Sequence, residues 1–151
     1  MLVKFKRTNS FAKTPVYATS GAACFDLHAV SVNGSMSICD IVYEGHPLIC
    51  DTGIAIAVPE GYMLAIRSRS GLVFNHGIHA FHGTVDSDYT GSITVLLMAE
   101  PRHDDSPPFR INPGDRIAQA CIIPVPMVAF EEVDELPTTE RGEAGFGSTG
   151  P

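Results

Sequence analysis

Gly83-Thr84-Val85-Asp86-Ser87-Asp88-Tyr89-Thr90-Gly91-Ser92 leads directly into the apolar run 93–98. Glycines bracket a pair of carboxylates and an aromatic ring at the mouth of a strand, so reading this segment as a turn between strands sets the fold class. Asp, Ser and Gly are ordinary hairpin residues, and taken alone the segment needs no other explanation. Whether Asp86 and Tyr89 do more depends on partners supplied elsewhere in the chain.

Working outward, residues 91–99 form the most apolar strand, and 78–81 lead into the turn from the other side. Before them stands the one helical segment, with Ser70 as its expected cap, residues 71–76 as its body and Gly77 as its stop. Residues 2–6, 21–29, 52–58 and 62–67 read as further strands, with Pro59-Glu60-Gly61 as a turn. The polar stretch 31–47 reads as a hairpin or long loop, and 101–108 as a charged loop containing proline. Residues 109–112 and 116–123 flank the turn Pro113-Gly114-Asp115, and 125–133 is expected to close the sheet. Short strands at this spacing with a single brief helix predict an all-β sandwich or barrel. The expected division is a β domain over 1–136 and a mobile C-terminal arm over 137–151, which has too little apolar content to pack alone.

Composition narrows the function. The chain of 151 residues is 44% hydrophobic, enough for the core of one domain. A net charge of −7 and no run of Lys or Arg argue against nucleic acid as a partner. No apolar window approaches a membrane span and no signal core opens the chain, so membrane binding is not expected and the reading is cytoplasmic. Cys24, Cys39, Cys50 and Cys121 show no zinc spacing and read as reduced thiols. His76, His79 and His82 share no helical face and read as surface histidines.

Three other segments carry chemistry. Arg69, Ser70 and Gly71 open the helix, where outward amides and a guanidinium suit an anion; taken alone, a capping Ser70 beside a solvated Arg69 is the simpler account. Alternation in Gly114-Asp115-Arg116-Ile117-Ala118-Gln119 pairs Gln119 with the apolar Ile117, so a buried amide there needs a partner and is a candidate ligand contact. A turn pairing of Asp115 with Arg116 is the plain account of the charges. The tail holds Arg141 and then Gly142-Glu143-Ala144-Gly145-Phe146-Gly147-Ser148-Thr149-Gly150, where Phe146 has no core to enter and suits a lid over a flat base.

These segments, together with Ala22-Ala23-Cys24-Phe25-Asp26-Leu27-His28-Ala29, stand in the order and spacing of the trimeric dUTPase family, which the chain resembles over nearly its whole length. The resemblance implies a jelly-roll-like distorted β-barrel, a homotrimer with shared active sites, and Mg²⁺-dependent hydrolysis of dUTP to dUMP and pyrophosphate. It implies Asp86 as the general base toward the water attacking the α-phosphorus. Arg69, Ser70 and Gly71 of a neighbouring subunit would hold the phosphates with Gln119 beside them, and Mg²⁺ would ride on the phosphates and its own waters, with Asp26 supporting that region. Tyr89 would lie under the deoxyribose, and the backbone from Ala80 through Gly83, Thr84 and Val85 would read the uracil edge. Phe146 and Gly147 would close over the base while Arg141, Ser148 and Thr149 meet the γ-phosphate. Asp88 has no implied role.

The chain departs from the family pattern at Cys24 and Ala144, where glycine is usual, at Ser68 for proline, and at Ser92 for glutamate. A dCTP deaminase or bifunctional deaminase-dUTPase on the same fold is the nearest alternative, but such relatives carry a glutamate after the aromatic where this chain has Thr90. A nucleotide-binding regulatory trimer of weak activity is the alternative from another class, with loops 31–47 and 103–108 as places for a protein partner.

Overall fold

A computed structural model describes residues 1–35, 40–41, 46–101 and 109–144, with side chains at 40 and 41 left aside. Its strands are β1 Lys4–Arg7, β2 Phe25–His28, β3 Ser31–Val32, β4 Asp40–Ile41, β5 Leu48–Asp51, β6 Ile54–Ala57 and β7 Tyr62–Arg67. After α1 Ser70–His76 come β8 Ile78–Ala80, β9 Thr84–Val85, β10 Thr94–Ala99, β11 Arg110–Ile111 and β12 Arg116–Pro124. Two four-stranded sheets run in the orders β3-β5-β10-β8 and β2-β12-β7-β9, and β1-β6 and β11-β4 form two-stranded ribbons. The strand pairings are antiparallel, and the fold is the all-β, jelly-roll-like one. Among the described residues no helix is long and apolar enough to cross a membrane.

Alternation makes the core. β5 turns Leu48 and Cys50 inward and Ile49 outward, and β10 does the same with Val95 and Leu97 against Thr94 and Met98. These meet Leu27 of β2, Leu64 of β7 and Ile117 of β12 in one buried cluster that joins the two larger sheets. Each such side chain contributes roughly 1.5–3 kcal/mol on leaving water. The hairpin expected over 31–47 begins with a tight Asn33-Gly34 turn, both residues at positive φ, closed by reciprocal 2.9 Å backbone hydrogen bonds between Val32 and Ser35. Much of the rest of that stretch, and most of the 101–108 loop, lies outside the described residues.

Helix α1 stops at Gly77, which takes the left-handed conformation at φ 64°. Its start differs from expectation: the cap position is Arg69, without a side-chain capping bond, and Ser70 is already helical. The carbonyl of Arg69 accepts the first helical amides while its guanidinium turns away toward β2.

Residues 125–133 do not close the sheet. The amide of Val125 donates its last ladder-like bond to Gly61 at 2.7 Å, and prolines at 124 and 126 remove the donors a further strand needs. From there to 136 the chain has no strand partner among the described residues, and Met127, Phe130 and Leu136 are 89%, 95% and 83% exposed.

Gly53 makes the turn from β5 to β6 at φ 65°, and a Cβ there would sit 2.9 Å from Asn9 Cβ and 3.0 Å from Val30 Cγ2. Gly53→Ala is therefore expected to destabilise the fold by about 2–4 kcal/mol, from left-handed strain plus overpacking. A thermal or urea melt equal to wild type contradicts this packing.

Candidate active site

Two groups of polar side chains stand out, built on different elements. The first gathers on the outer face of the sheet β2-β12-β7-β9. Asp26 on β2 alternates with the buried Phe25 and Leu27, and its carboxylate meets Arg69 Nε at 3.3 Å through Oδ1 and Arg116 Nη1 at 3.3 Å through Oδ2. Arg69 Nη1 also donates to the Arg116 carbonyl at 3.1 Å, which ties the start of α1 to the start of β12. Gln119 lies opposite Asp26 in the register and donates Nε2 to the Ser68 carbonyl at 2.8 Å.

Two sequence expectations are corrected here. Arg116 pairs with Asp26, whereas Asp115 accepts the backbone and side-chain amides of Asn112 at 2.7 and 3.1 Å and so closes its own turn. Gln119 does not share the inward face of Ile117. The register shifts between Arg116 and Ala118, burying Ile117 and Ala118 in succession and setting Gln119 outward with Asp26.

The second group surrounds the acidic turn. β9 pairs with β7 through Val85 opposite Leu64 and Thr84 opposite Ala65, and Ile66 donates to the Gly83 carbonyl at 2.9 Å. A hollow of about 260 Å³ opens between Ile66, Gly83–Asp86, Tyr89 and Ser92–Thr94. Asp86 is exposed at its rim, and its carbonyl accepts the Tyr89 amide at 3.2 Å to form the turn. The Tyr89 hydroxyl donates to the Ser92 carbonyl at 3.0 Å, laying the ring across Gly91, where any Cβ would collide with it. Asp88 is exposed and has no described bond to the group.

Support from behind was not foreseen. Ser92 Oγ donates to Asp51 Oδ1 at 2.5 Å and lies 3.0 Å from Thr8 Oγ1, while Asp51 also accepts the Gly53 amide at 2.9 Å. Thr52, buried, donates Oγ1 to the Ile93 carbonyl at 2.7 Å. The only sequence signal was Asp-Thr-Gly at a turn. Ser68 was likewise missed: its hydroxyl bonds both the amide and the carbonyl of Ala80 at 3.1 Å, so the polar backbone of Ala80 is engaged by the neighbouring chain segment.

Thus the structure joins Asp26, Arg69 and Gln119, with Ser70 and Gly71 exposed beside them at the start of α1, and separately joins Gly83, Thr84, Val85, Asp86 and Tyr89. Among the described residues no cation lines the second hollow. Arg141 belongs to neither: its Nε donates to the Ala144 carbonyl at 2.8 Å. Phe146, Gly147, Ser148 and Thr149 lie outside the described residues. The histidines bear no metal cluster: His76 stacks on Phe109 at 4.2 Å, His79 Nε2 lies 2.8 Å from Glu100 Oε1, and no group of three or more His, Cys, Asp or Glu suits a metal among the described residues.

The family model described as dUTPase matches residues 11–150. The chain belongs to the dUTPase family. It is 43% identical to the deoxyuridine 5'-triphosphate nucleotidohydrolase of Nautilia profundicola, over 99% of both chains, and 43% identical to that of Caulobacter vibrioides, over 99% of this chain and 95% of the other. In fold it is similar to a mutant of the Staphylococcus bacteriophage 80alpha dUTPase with dUpNHpp, with a TM-score of 0.86 at 22% identity over 99% of each chain. A mutant dUTPase from phage phi11 of S. aureus, described as coordinating a structural Mg(II) ion, aligns with a TM-score of 0.76 at 19% identity, over 91% of this chain and all of that one.

Electrostatics at the first group bear on one more residue of this dUTPase-family chain. Burial, and then the positive field of Lys13, lower the pKa of His28 from its ordinary 6.5, with Asp26 opposing and Arg116 and Arg69 adding to the depression. The folded state therefore binds a proton at His28 less readily than the unfolded chain, so stability present above about pH 6.5 is lost as the pH falls through the lower folded value. His28→Gln is expected to lose less stability than wild type between pH 7 and about pH 5, read by urea unfolding. A difference between the two proteins that does not change with pH contradicts this assignment.

Proposed function

We propose that this chain hydrolyses dUTP to dUMP and pyrophosphate, with Asp86 orienting and deprotonating the water that attacks the α-phosphorus. The observation that carries the reading is the hollow at the acidic turn, which sets an exposed carboxylate beside an aromatic ring and an edge strand. β9 ends its sheet, so one side of its backbone has no strand partner among the described residues. Amides and carbonyls there suit the alternating acceptors and donor of a uracil edge, which supports base recognition by Gly83, Thr84 and Val85 more than by the engaged Ala80. Tyr89, fixed by Ser92 over Gly91, packs under the sugar and leaves no room for a 2′-hydroxyl.

Among the described residues Asp86 has no cation beside it to hold a triphosphate, so the phosphates are held by the Asp26 group of a neighbouring subunit. Arg69 neutralises phosphate charge, Ser70 and Gly71 donate at the start of α1, and Gln119 orients the neighbouring oxygens. The C-terminal arm then brings Arg141, Ser148 and Thr149 to the γ-phosphate, with Phe146 and Gly147 over the base.

The residues present fit Mg²⁺ carried on phosphates and waters better than in a protein cage. Both oxygens of Asp26 already face guanidiniums, which leaves them able to accept from waters around the ion. When bound, the ion neutralises charge on the phosphates; Asp26, Arg69 and Gln119 hold their surroundings in place. Thr90, in place of an acid after the aromatic, supplies no carboxyl group for proton transfer in deamination at a base.

A homotrimer accounts for the exposed apolar side chains of Met127, Phe130 and Leu136, since large apolar side chains left in water close together along a chain suit a protein contact. A hollow of about 270 Å³ lined by Val3, Phe5, Tyr17, Phe25 and Ile122 is a further apolar surface available to such a contact.

Asp86→Asn is expected to bind dUTP with little change while pyrophosphate release falls by at least about a hundredfold, and wild-type turnover to depend on added Mg²⁺. Near-wild-type turnover of the variant removes Asp86 as the base; ammonia release from dCTP points to the deaminase instead.

A further inference from the structure

Outside the groups already described, the sheet carrying Asp26 holds a pair of sulfurs. Cys24 directly precedes β2, and the register that sets Ala120 opposite Phe25 and Gln119 opposite Asp26 brings Cys121 opposite Cys24 at its next step. Alternation sends Phe25, Leu27, Ala118 and Ala120 inward, so Cys24 and Cys121 share the outer face with Asp26 and Gln119. The Cys121 thiol acts on the pKa of Cys24, so the two sulfurs are near neighbours, and both are partly exposed. Directly opposed residues of antiparallel strands lie about 4.5–5.5 Å apart at Cα, within the span a disulfide bridges. By contrast Cys50 is fully buried.

We propose that Cys24 and Cys121 are a redox-active dithiol that hydrogen peroxide converts to an intrachain cross-strand disulfide, and that this bond slows dUTP turnover. One thiolate attacks the peroxide oxygen, cleaving the O–O bond and leaving a sulfenic acid and, after protonation, one water. The second thiolate attacks that sulfur, the S–S bond forms, and the hydroxyl leaves as a second water. Two electrons pass from the sulfurs to the peroxide, and a dithiol reductant reverses the change.

Reactivity and consequence both follow from the surroundings. Burial and the hydrogen bond with Cys121 raise the pKa of Cys24, against a lowering by Arg67 on β7, so Cys24 rests as a thiol near neutral pH and oxidises faster as pH rises. A covalent link between Cys24 and Cys121 constrains β2 against β12 where the two strands meet. Asp26 and Gln119 lie two residues along those strands, and both contacts of Asp26 to its arginines are already 3.3 Å long. Small displacements of positioning groups are costly to turnover.

The test uses the full chain with Cys39→Ser, so that this thiol takes no part. After hydrogen peroxide at pH 8, non-reducing peptide mapping is expected to yield a peptide joining Cys24 to Cys121. Turnover of dUTP is expected to fall roughly three- to tenfold and to return with dithiothreitol. Cys24→Ser and Cys121→Ser should each abolish both changes. Mapping is independent of the proposed activity: an inactive reduced protein contradicts the function above, whereas a missing linked peptide overturns the dithiol. A linked peptide with unchanged turnover overturns the control of activity.

Discussion

Ile117 and Ala118 are both buried, and a regular strand cannot send two successive side chains to the same side. The chain meets this constraint with a register shift in β12, so that Arg116 stands opposite His28 while Ala118 already faces Leu27. Much of the polar arrangement depends on that one irregularity. It brings Arg116 to Asp26, returns Gln119 to the outer face, and carries the central strand on between β2 and β7.

The consequence is a division of labour. On one side a carboxylate is held between two guanidiniums, a local positive site in a chain of net charge −7. On the other, a turn with an exposed carboxylate and a tyrosine borders a hollow that no cation lines among the described residues. For the phosphates of a nucleotide the two differ: the first carries the guanidiniums, and the second has no cation in its lining among the described residues. Beyond β12 the chain leaves Met127, Phe130 and Leu136 exposed.

The parts of the fold governed by local chemistry were legible in the sequence. Asn33-Gly34, Gly77 and the alternation of β5 and β10 each follow from backbone freedom or burial within a few residues. What depends on distant contacts was not. Alternation alone put Gln119 with Ile117 because nothing local announces a bulge, and Arg116 was given its sequence neighbour because Asp26 is 90 residues away. The apolar residues from 125 to 133 read as a strand because an exposed apolar segment and a core strand can have the same composition. Asp86 and Tyr89 stood out only by motif; the Asp51–Ser92 support beneath them has no sequence signal beyond Asp-Thr-Gly at a turn.

The central claim is that one catalytic unit takes Asp86 from one subunit and Arg69 from another. Mixing Asp86→Asn with Arg69→Ala subunits, after dissociation and reassembly, tests it most directly. Each variant alone is expected to be nearly inactive, and an equal mixture to regain about a quarter of wild-type dUTP turnover, since that share of shared sites then combines both intact residues. Mixed oligomers that form, as shown by mass spectrometry, but stay as inactive as either parent contradict the claim.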